Sequence, residues 1–272
     1  MVAAPFRNHA PIPQIPSADA LPPKDGFFSK IDLRYGPSDT IGRFLLRAGD
    51  LVRSAGLTLE FGSFEKLLEC NTRNRHSWRP IVPVLDPTYN QLTEDNSFCI
   101  FGRDTDGNVV ATQAARLIDL RGTDLRTEAE SLRMFYGASP PNDYTILLNA
   151  PSASSISGLV AYSGGVWYHP RFRGRALSSV LPRMCRALAI ATWDVDYALS
   201  FVEDALIEKN MPARYGYPRF ERHFSVGDAR FGDVLFSGAL IWLSQAEALV
   251  DMRTQLTRLL PEVDRVPHLR RA

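Results

Sequence analysis

The sequence predicts a mixed α/β (α+β) fold, a central and mostly antiparallel sheet flanked by helices. Three observations predict it. Helical and strand-like patterns alternate along most of the chain. The clearest strand pair is a hairpin, which excludes a doubly wound sheet. Hydrophobic residues make up 45% of the 272 and charged residues 22%, so a sizeable core can form.

Residues 1–25 hold Pro5, Pro11, Pro13, Pro16, Pro22 and Pro23. That density prevents helix and removes backbone donors, so an extended or disordered arm is expected. It would be a loose tail or, in a homodimer, a wrap around the neighbour. Residues 26–272 are expected to form one domain with an N-terminal helical extension. Residues 38–55 read as helix, capped by Ser38, with Ile41, Phe44, Leu45, Leu51 and Val52 at helical spacing. Gly56 stops it. Leu57 to Phe61 reads as a short strand and Phe64 to Cys70 as a further helical stretch. Segment 71–96 is irregular.

Ser97–Arg103 and Val109–Ile118 form the hairpin, with Asp106-Gly107-Asn108 between them. Asp124 to Tyr136 reads as one helix, and Thr145 to Leu148 as a short strand within a loop-like stretch. Gly158 to Tyr168 is a strand interrupted by Gly164-Gly165, a pair that marks a bulge or a close backbone approach. A turn then leads into a helix that ends near Trp193. Val195 to Val202 is a buried strand, and a short helix starts at Asp204. Tyr217 to Val226 and Val234 to Leu243 are strands. Ser244 caps a last helix, Gln245 to Leu260, which Pro261 ends.

A net charge of +1 gives no global attraction to nucleic acid or to an anionic membrane. No apolar run approaches the ~20 residues of a membrane span, and residues 1–25 contain no continuous apolar stretch of the signal-peptide kind. A cytoplasmic protein is expected. Cys70, Cys99 and Cys185 are widely spaced and read as buried apolar residues. Neither they nor His9, His76 and His268 suggest a metal site.

The informative segment is Val166 to Leu181. A strand ends, Pro170 turns the chain, and a Gly-containing loop opens a helix. Amides at a helix start lack intrahelical partners and, with the macrodipole, attract phosphate oxygens. Gly174, Ala176 and Ser178 are small enough to let a ligand reach the main chain. Arg171, Arg173 and Arg175 add fixed positive charge. Arg183 and Arg186, further along, read as a solvated helix face. Pro182 falls in the first turn if the helix caps at Ser179, and kinks it if the helix starts at Gly174.

Tyr168-His169-Pro170-Arg171-Phe172-Arg173-Gly174-Arg175-Ala176-Leu177-Ser178 resembles the strand-to-helix signature of the GNAT superfamily of acetyl-coenzyme A-dependent N-acyltransferases. The family's phosphate motif, [Q/R]-x-x-G-x-[G/A], aligns from Arg173 when Pro170 fixes the frame. A frame from Arg171 matches the letters but misplaces Pro170. The segment Asn210 to Tyr217 is similar to the family's Asn-x-x-Ala and Gly-Phe element, and the resemblance spans about residues 57–243. It implies direct transfer of an acetyl or other acyl group from acyl-CoA to a small-molecule or peptide amine, with no metal.

The same resemblance implies roles. Val166, Trp167, Tyr168, Arg171, Arg173, Gly174, Arg175, Ala176, Leu177, Ser178 and Asn210 would bind the cosubstrate, with an amide near Val166 polarising the thioester carbonyl. Glu203 or Asp204 would accept the amine's proton, unless they only cap the next helix. Tyr162 and Ser163 could hold a water instead. The position where the family often places a proton-donating Tyr is Pro212, so Tyr215 is the substitute. That departure, with no acidic residue in Gly158–Tyr168, also admits an acyl-CoA-binding protein without turnover. Acceptor choice would rest on segment 71–96, loop 137–157 and the first helix.

Overall fold

The computed structural model describes residues 26–259. The arm at 1–25 and the stop at Pro261 lie outside the described residues. The predicted fold class is the observed one. Helix α1 spans Ser38–Ser54, strand β1 Thr58–Gly62 and helix α2 Phe64–Arg73. The hairpin is β2, Ser97–Arg103, and β3, Val109–Leu120. Then come α3 (Leu125–Glu130), α4 (Arg133–Tyr136), β4 (Tyr144–Leu148) and β5 (Gly158–Tyr168). Helix α5 (Leu177–Trp193), β6 (Tyr197–Glu203), α6 (Asp204–Glu208) and α7 (Met211–Tyr215) follow. Strands β7 (Arg219–Asp228) and β8 (Val234–Ser244) and helix α8 (Gln245–Leu259) complete the order.

The eight strands form one sheet in the order β1-β2-β3-β5-β6-β8-β7-β4. Every neighbouring pair is antiparallel except β5 and β6. Gly107 turns the β2–β3 hairpin at φ +80°. The sheet carries packed elements on both faces, and its β7–β8 hairpin end is more open. One face packs against α1, α5 and α8 through Ile41, Phe44, Leu45, Leu181, Leu188 and Met252. The other packs against α2, the 3-10 turn Pro83–Leu85, α3 and α4 through Leu67, Leu85, Leu125 and Phe135. All three cysteines are buried and free.

Several boundaries differ from the sequence reading for local reasons. Pro37, not Ser38, caps α1. The helix expected from Asp124 to Tyr136 breaks in two where Leu132 adopts φ +64°. Ser244 does cap α8. Its hydroxyl accepts from the Glu247 amide at 3.3 Å, and the Glu247 carboxylate accepts from the Ser244 amide at 2.9 Å.

Arg183 and Arg186 correct the expectation of a solvated face, being 7% and 1% exposed. Helix α5 is enclosed by α1, α8 and the sheet, so an arginine on it must find its counter-charge inside. Arg183 Nε donates to Asp251 Oδ2 at 2.7 Å, and Arg186 Nη2 lies 3.5 Å from the same oxygen. Arg183 Nη1 also donates to the Ser179 and Arg214 carbonyls at 2.6 and 2.8 Å. One carboxylate on α8 thus neutralises two guanidinium groups on α5. Asp251→Ala should lower unfolding free energy by about 3–5 kcal/mol, the usual cost of stranding buried charge. Urea denaturation of the variant and the parent protein checks this.

Candidate functional site

Strands β5 and β6 pair for three residues only: Val160 with Tyr197, Ala161 with Ala198, and Tyr162 with Leu199. Beyond them β5 stays bonded to β3, and β6 to β8. From Ser163 and Ser200 onward two strand edges face each other with no ladder between them. A cleft of about 740 Å³ occupies the gap, within the ~300–1,000 Å³ usual for ligand sites.

The β5 wall is bulged. Ala114 of β3 opposes Gly164, but Thr112 opposes Trp167, so β5 accommodates one extra residue. Gly165 sits there at φ +61°, where a Cβ would lie 3.2 Å from that of Ala114. Side chains of β3 hold the bulge. Thr112 Oγ1 donates to the Gly165 carbonyl at 2.7 Å, and Gln113 Nε2 donates to Ser163 Oγ at 3.0 Å.

The far end of β5 leads into the phosphate-type turn. His169 accepts from the Arg171 amide at 3.3 Å and starts a 3-10 turn, Pro170–Phe172. Gly174 adopts φ +82° and Ala176 φ +59°. Residues 173–176 are exposed. Helix α5 begins at Leu177, between the two starting points considered from sequence. The Ser179 amide bonds the Ala176 carbonyl at 2.9 Å, while no hydrogen-bond partner takes the Leu177 or Ser178 amide among the described residues. Pro182 falls in the second turn and has no N–H to return to the Ser178 carbonyl. Both residues line the cleft.

Most of the residues singled out in the sequence meet here. Val166, Trp167 and Tyr168 form one wall, and Arg173, Gly174, Ala176, Leu177 and Ser178 form the end. Tyr162, Glu203 and Tyr215 also line the cleft. Arg173 braces the turn, its Nε donating to the Tyr168 carbonyl at 3.1 Å and its Nη2 to that of Ser77 at 3.4 Å.

Four predicted residues are not in the lining. Arg175 points to α1, donating to the Ala55 carbonyl at 3.0 Å and covering the Phe172 ring. Arg171 is exposed within the 3-10 turn, and Asn210 is exposed at the start of α7 with φ +53°. Asp204 is turned toward the β7–β8 hairpin, where its carboxylate accepts from Arg222 at 3.0 Å and Ser237 at 2.6 Å. It does not cap α6, whose N-cap is Glu203.

No family model and no curated protein matches the chain. Solved structures similar to it include a single-site mutant of SpeG spermidine N-acetyltransferase from Vibrio cholerae. Identity is 13% and the TM-score 0.40, over 71% of this chain and 96% of that one. Another, from Klebsiella pneumoniae, is provisionally described as an acyl-CoA N-acyltransferase. There identity is 15% and the TM-score 0.37, over 70% of this chain and 98% of that one.

The third wall comes from segment 71–96, one of the three stretches expected to shape acceptor choice, although its form was not foreseen. Residues 77–82 cross the cleft as a strap. Trp78 stacks on Trp167 with centroids 5.4 Å apart, and Trp167 Nε1 donates to Ser77 Oγ at 3.2 Å. Asn71, fully buried on α2, fixes the strap by donating to the Arg79 carbonyl at 2.7 Å and accepting from the Ile81 amide. Arg79 Nε lies 2.5 Å from Glu203 Oε1 and so bridges strap and β6. The segment has no periodicity, and only its tryptophan and arginine hinted at contacts. Neither loop 137–157 nor α1, both expected to shape acceptor choice, lines the cleft.

Burial sets the protonation of the tyrosines. Loss of solvent, reinforced by Tyr217, pushes the Tyr215 phenol up to about 12. Burial likewise raises Tyr162, with Ser200 opposing. The Tyr217 hydroxyl is buried without a hydrogen-bond partner among the described residues, and the Arg186 guanidinium lies 4.6 Å over its ring. Among the described residues no group of three His, Cys, Asp or Glu is placed to hold a metal.

The left-handed backbone at Ala176 costs an L-residue roughly 1–2 kcal/mol. Ala176→Gly should therefore stabilise the protein by up to about 1 kcal/mol, after glycine's extra unfolded-state freedom is discounted. Ala176→Val should destabilise it. Chemical denaturation of the two variants gives the comparison.

Proposed function

We propose that the cleft binds an acyl-coenzyme A thioester and that the protein transfers the acyl group to an amine. The carrying observation is the meeting of an unpaired strand edge with an open helix N-terminus in one cleft. An extended pantetheine-like chain with an amide backbone can complete the β5 edge as an added strand would. A diphosphate fits the turn at 173–178, exposed over 173–176, where two amides and the α5 dipole converge. Arg173 contributes charge, while Arg171, Arg175 and Asn210 lie outside the lining.

Each chemical role then falls to a wall of the cleft. The bulge at Gly164–Val166 brings main chain close to the carbonyl, where the Val166 amide stabilises developing oxyanion charge. The amine nitrogen forms the new C–N bond as the C–S bond breaks. Glu203 takes up the amine's proton once Arg79 is displaced from it. Tyr215, protonated throughout the neutral range, donates to the departing thiolate. Tyr162 is held neutral and serves as packing or as an anchor for water.

A second reading, binding without turnover, has one observation in its favour: Glu203, the one carboxylate among the described cleft residues, is already ion-paired. Coenzyme A affinity with no thiol release across a broad amine panel would select it.

Coenzyme A at a hundred times its dissociation constant should stabilise the protein by about 2.7 kcal/mol, visible as a rise in Tm. Arg173→Glu and Gly174→Pro should abolish that rise; retained affinity in both variants would refute the cleft assignment. Tyr215→Phe should lower kcat by about tenfold or more and leave the KM for the thioester unchanged. With the phenol at about 12, the parent enzyme's kcat should not decline below pH 10 through this group. A pH–rate series on both proteins measures the difference.

A further inference from the structure

The charge of the cleft is lopsided. Its charged lining among the described residues is Arg79, Arg173, Arg214 and the single acid Glu203. Arg173 is committed to the phosphate end. The strap, which also meets Arg173 through the Ser77 carbonyl, holds Arg79 against Glu203, and the lining here includes Trp78, Ile81 and Phe236. The side chain of Arg79 is 73% exposed and that of Glu203 24%. Only the Arg79 side of the pair is open: Glu203 Oε1 is buried and, despite the short approach, takes no hydrogen bond among the described residues, so a better-aimed donor can replace Arg79 there.

A polycationic amine fits this end poorly. It could pair with Glu203 only by expelling Arg79, and its remaining ammonium groups would meet arginines. An amine that also carries a carboxylate fits without net change of charge. Its ammonium takes the place of Arg79 at Glu203, and its carboxylate takes the place of Glu203 at Arg79. A guanidinium and a carboxylate then meet in the two-pronged geometry that arginine favours.

We propose that the acceptor is a carboxylate-bearing primary amine of the apolar α-amino-acid class, with Arg79 as the residue that selects it. This rests on the acyl-transfer reading. In the transfer, the acceptor ammonium gives one proton to Glu203 and onward to solvent. The nitrogen joins the acyl carbon, the C–S bond breaks, and the second proton leaves with the thiolate as thiol. The carboxylate stays on Arg79 throughout and is not consumed. Arg79 is a specificity residue; its removal changes which amine binds.

The test is a calorimetric titration of the full chain with L-phenylalanine, phenethylamine and spermidine, with and without coenzyme A. Phenylalanine should bind at least about tenfold more tightly than phenethylamine, the scale of one charge-assisted contact, and spermidine most weakly. Arg79→Met should erase the preference, and Arg79→Lys should restore part of it. Equal or tighter binding of either amine, failure of phenylalanine to bind, or a preference intact in Arg79→Met overturns the proposal. Failure of coenzyme A to bind, with the preference present, overturns the acyl-transfer reading and leaves the carboxylate site standing.

Discussion

The structure depends on a parallel strand pair that is allowed to come apart. Backbone N–H and C=O groups in a protein interior must find partners. Strands β5 and β6 satisfy each other for three residues and then separate, each held by an outer neighbour. What lies between is polar main chain flanked by apolar side chains, a surface suited to a ligand with its own amides. The bulge at Gly165 and the turn before α5 sit at either end of the same open edge. Two features nearly adjacent in sequence thus bracket one elongated space.

Holding such a gap open requires rigid supports on either side. The buried Arg183, Arg186 and Asp251 cluster supplies one of them. It joins α5 to α8 and, through the Arg214 and Gly216 carbonyls, to the chain around α7 that carries Tyr215. The other is the β3 wall, where Thr112 and Gln113 secure the bulge. The cleft is accordingly framed by side chains that residue type alone would assign to solvent.

Much of this frame was legible in the sequence because the signals were local. Gly107 between two β-rich runs fixed the hairpin, and Ser244 fixed the start of α8. Pro170 and Gly174 located the turn that precedes α5. The starting residue of α5 was not legible, because the left-handed position is filled by Ala176, which carries no such mark. Arg183 and Arg186 were misread for a different reason: their counter-charge, Asp251, lies on another helix far along the chain. Asp204 sits next to Glu203 in sequence, yet successive residues at a strand end project differently, and its carboxylate belongs to Arg222 and Ser237. Segment 71–96 was expected to bear on acceptor choice, but the strap at 77–82 was not legible as a structure. It is held by two hydrogen bonds with Asn71, by the bond from Trp167 to Ser77 and by the Arg79–Glu203 pair, and these impose no repeating pattern.

The strap's attachment also provides a built-in optical probe. Trp78 belongs to the strap and Trp167 to the cleft wall, and their indoles overlap with an interplanar angle of 13°. Two chromophores in such register perturb each other's ultraviolet dichroism and emission. Parting them alters that signal, which adds to those of Trp193, packed on Phe98, and Trp242, packed on Tyr197. The difference between the spectra of the parent protein and Trp78→Phe therefore isolates the strap.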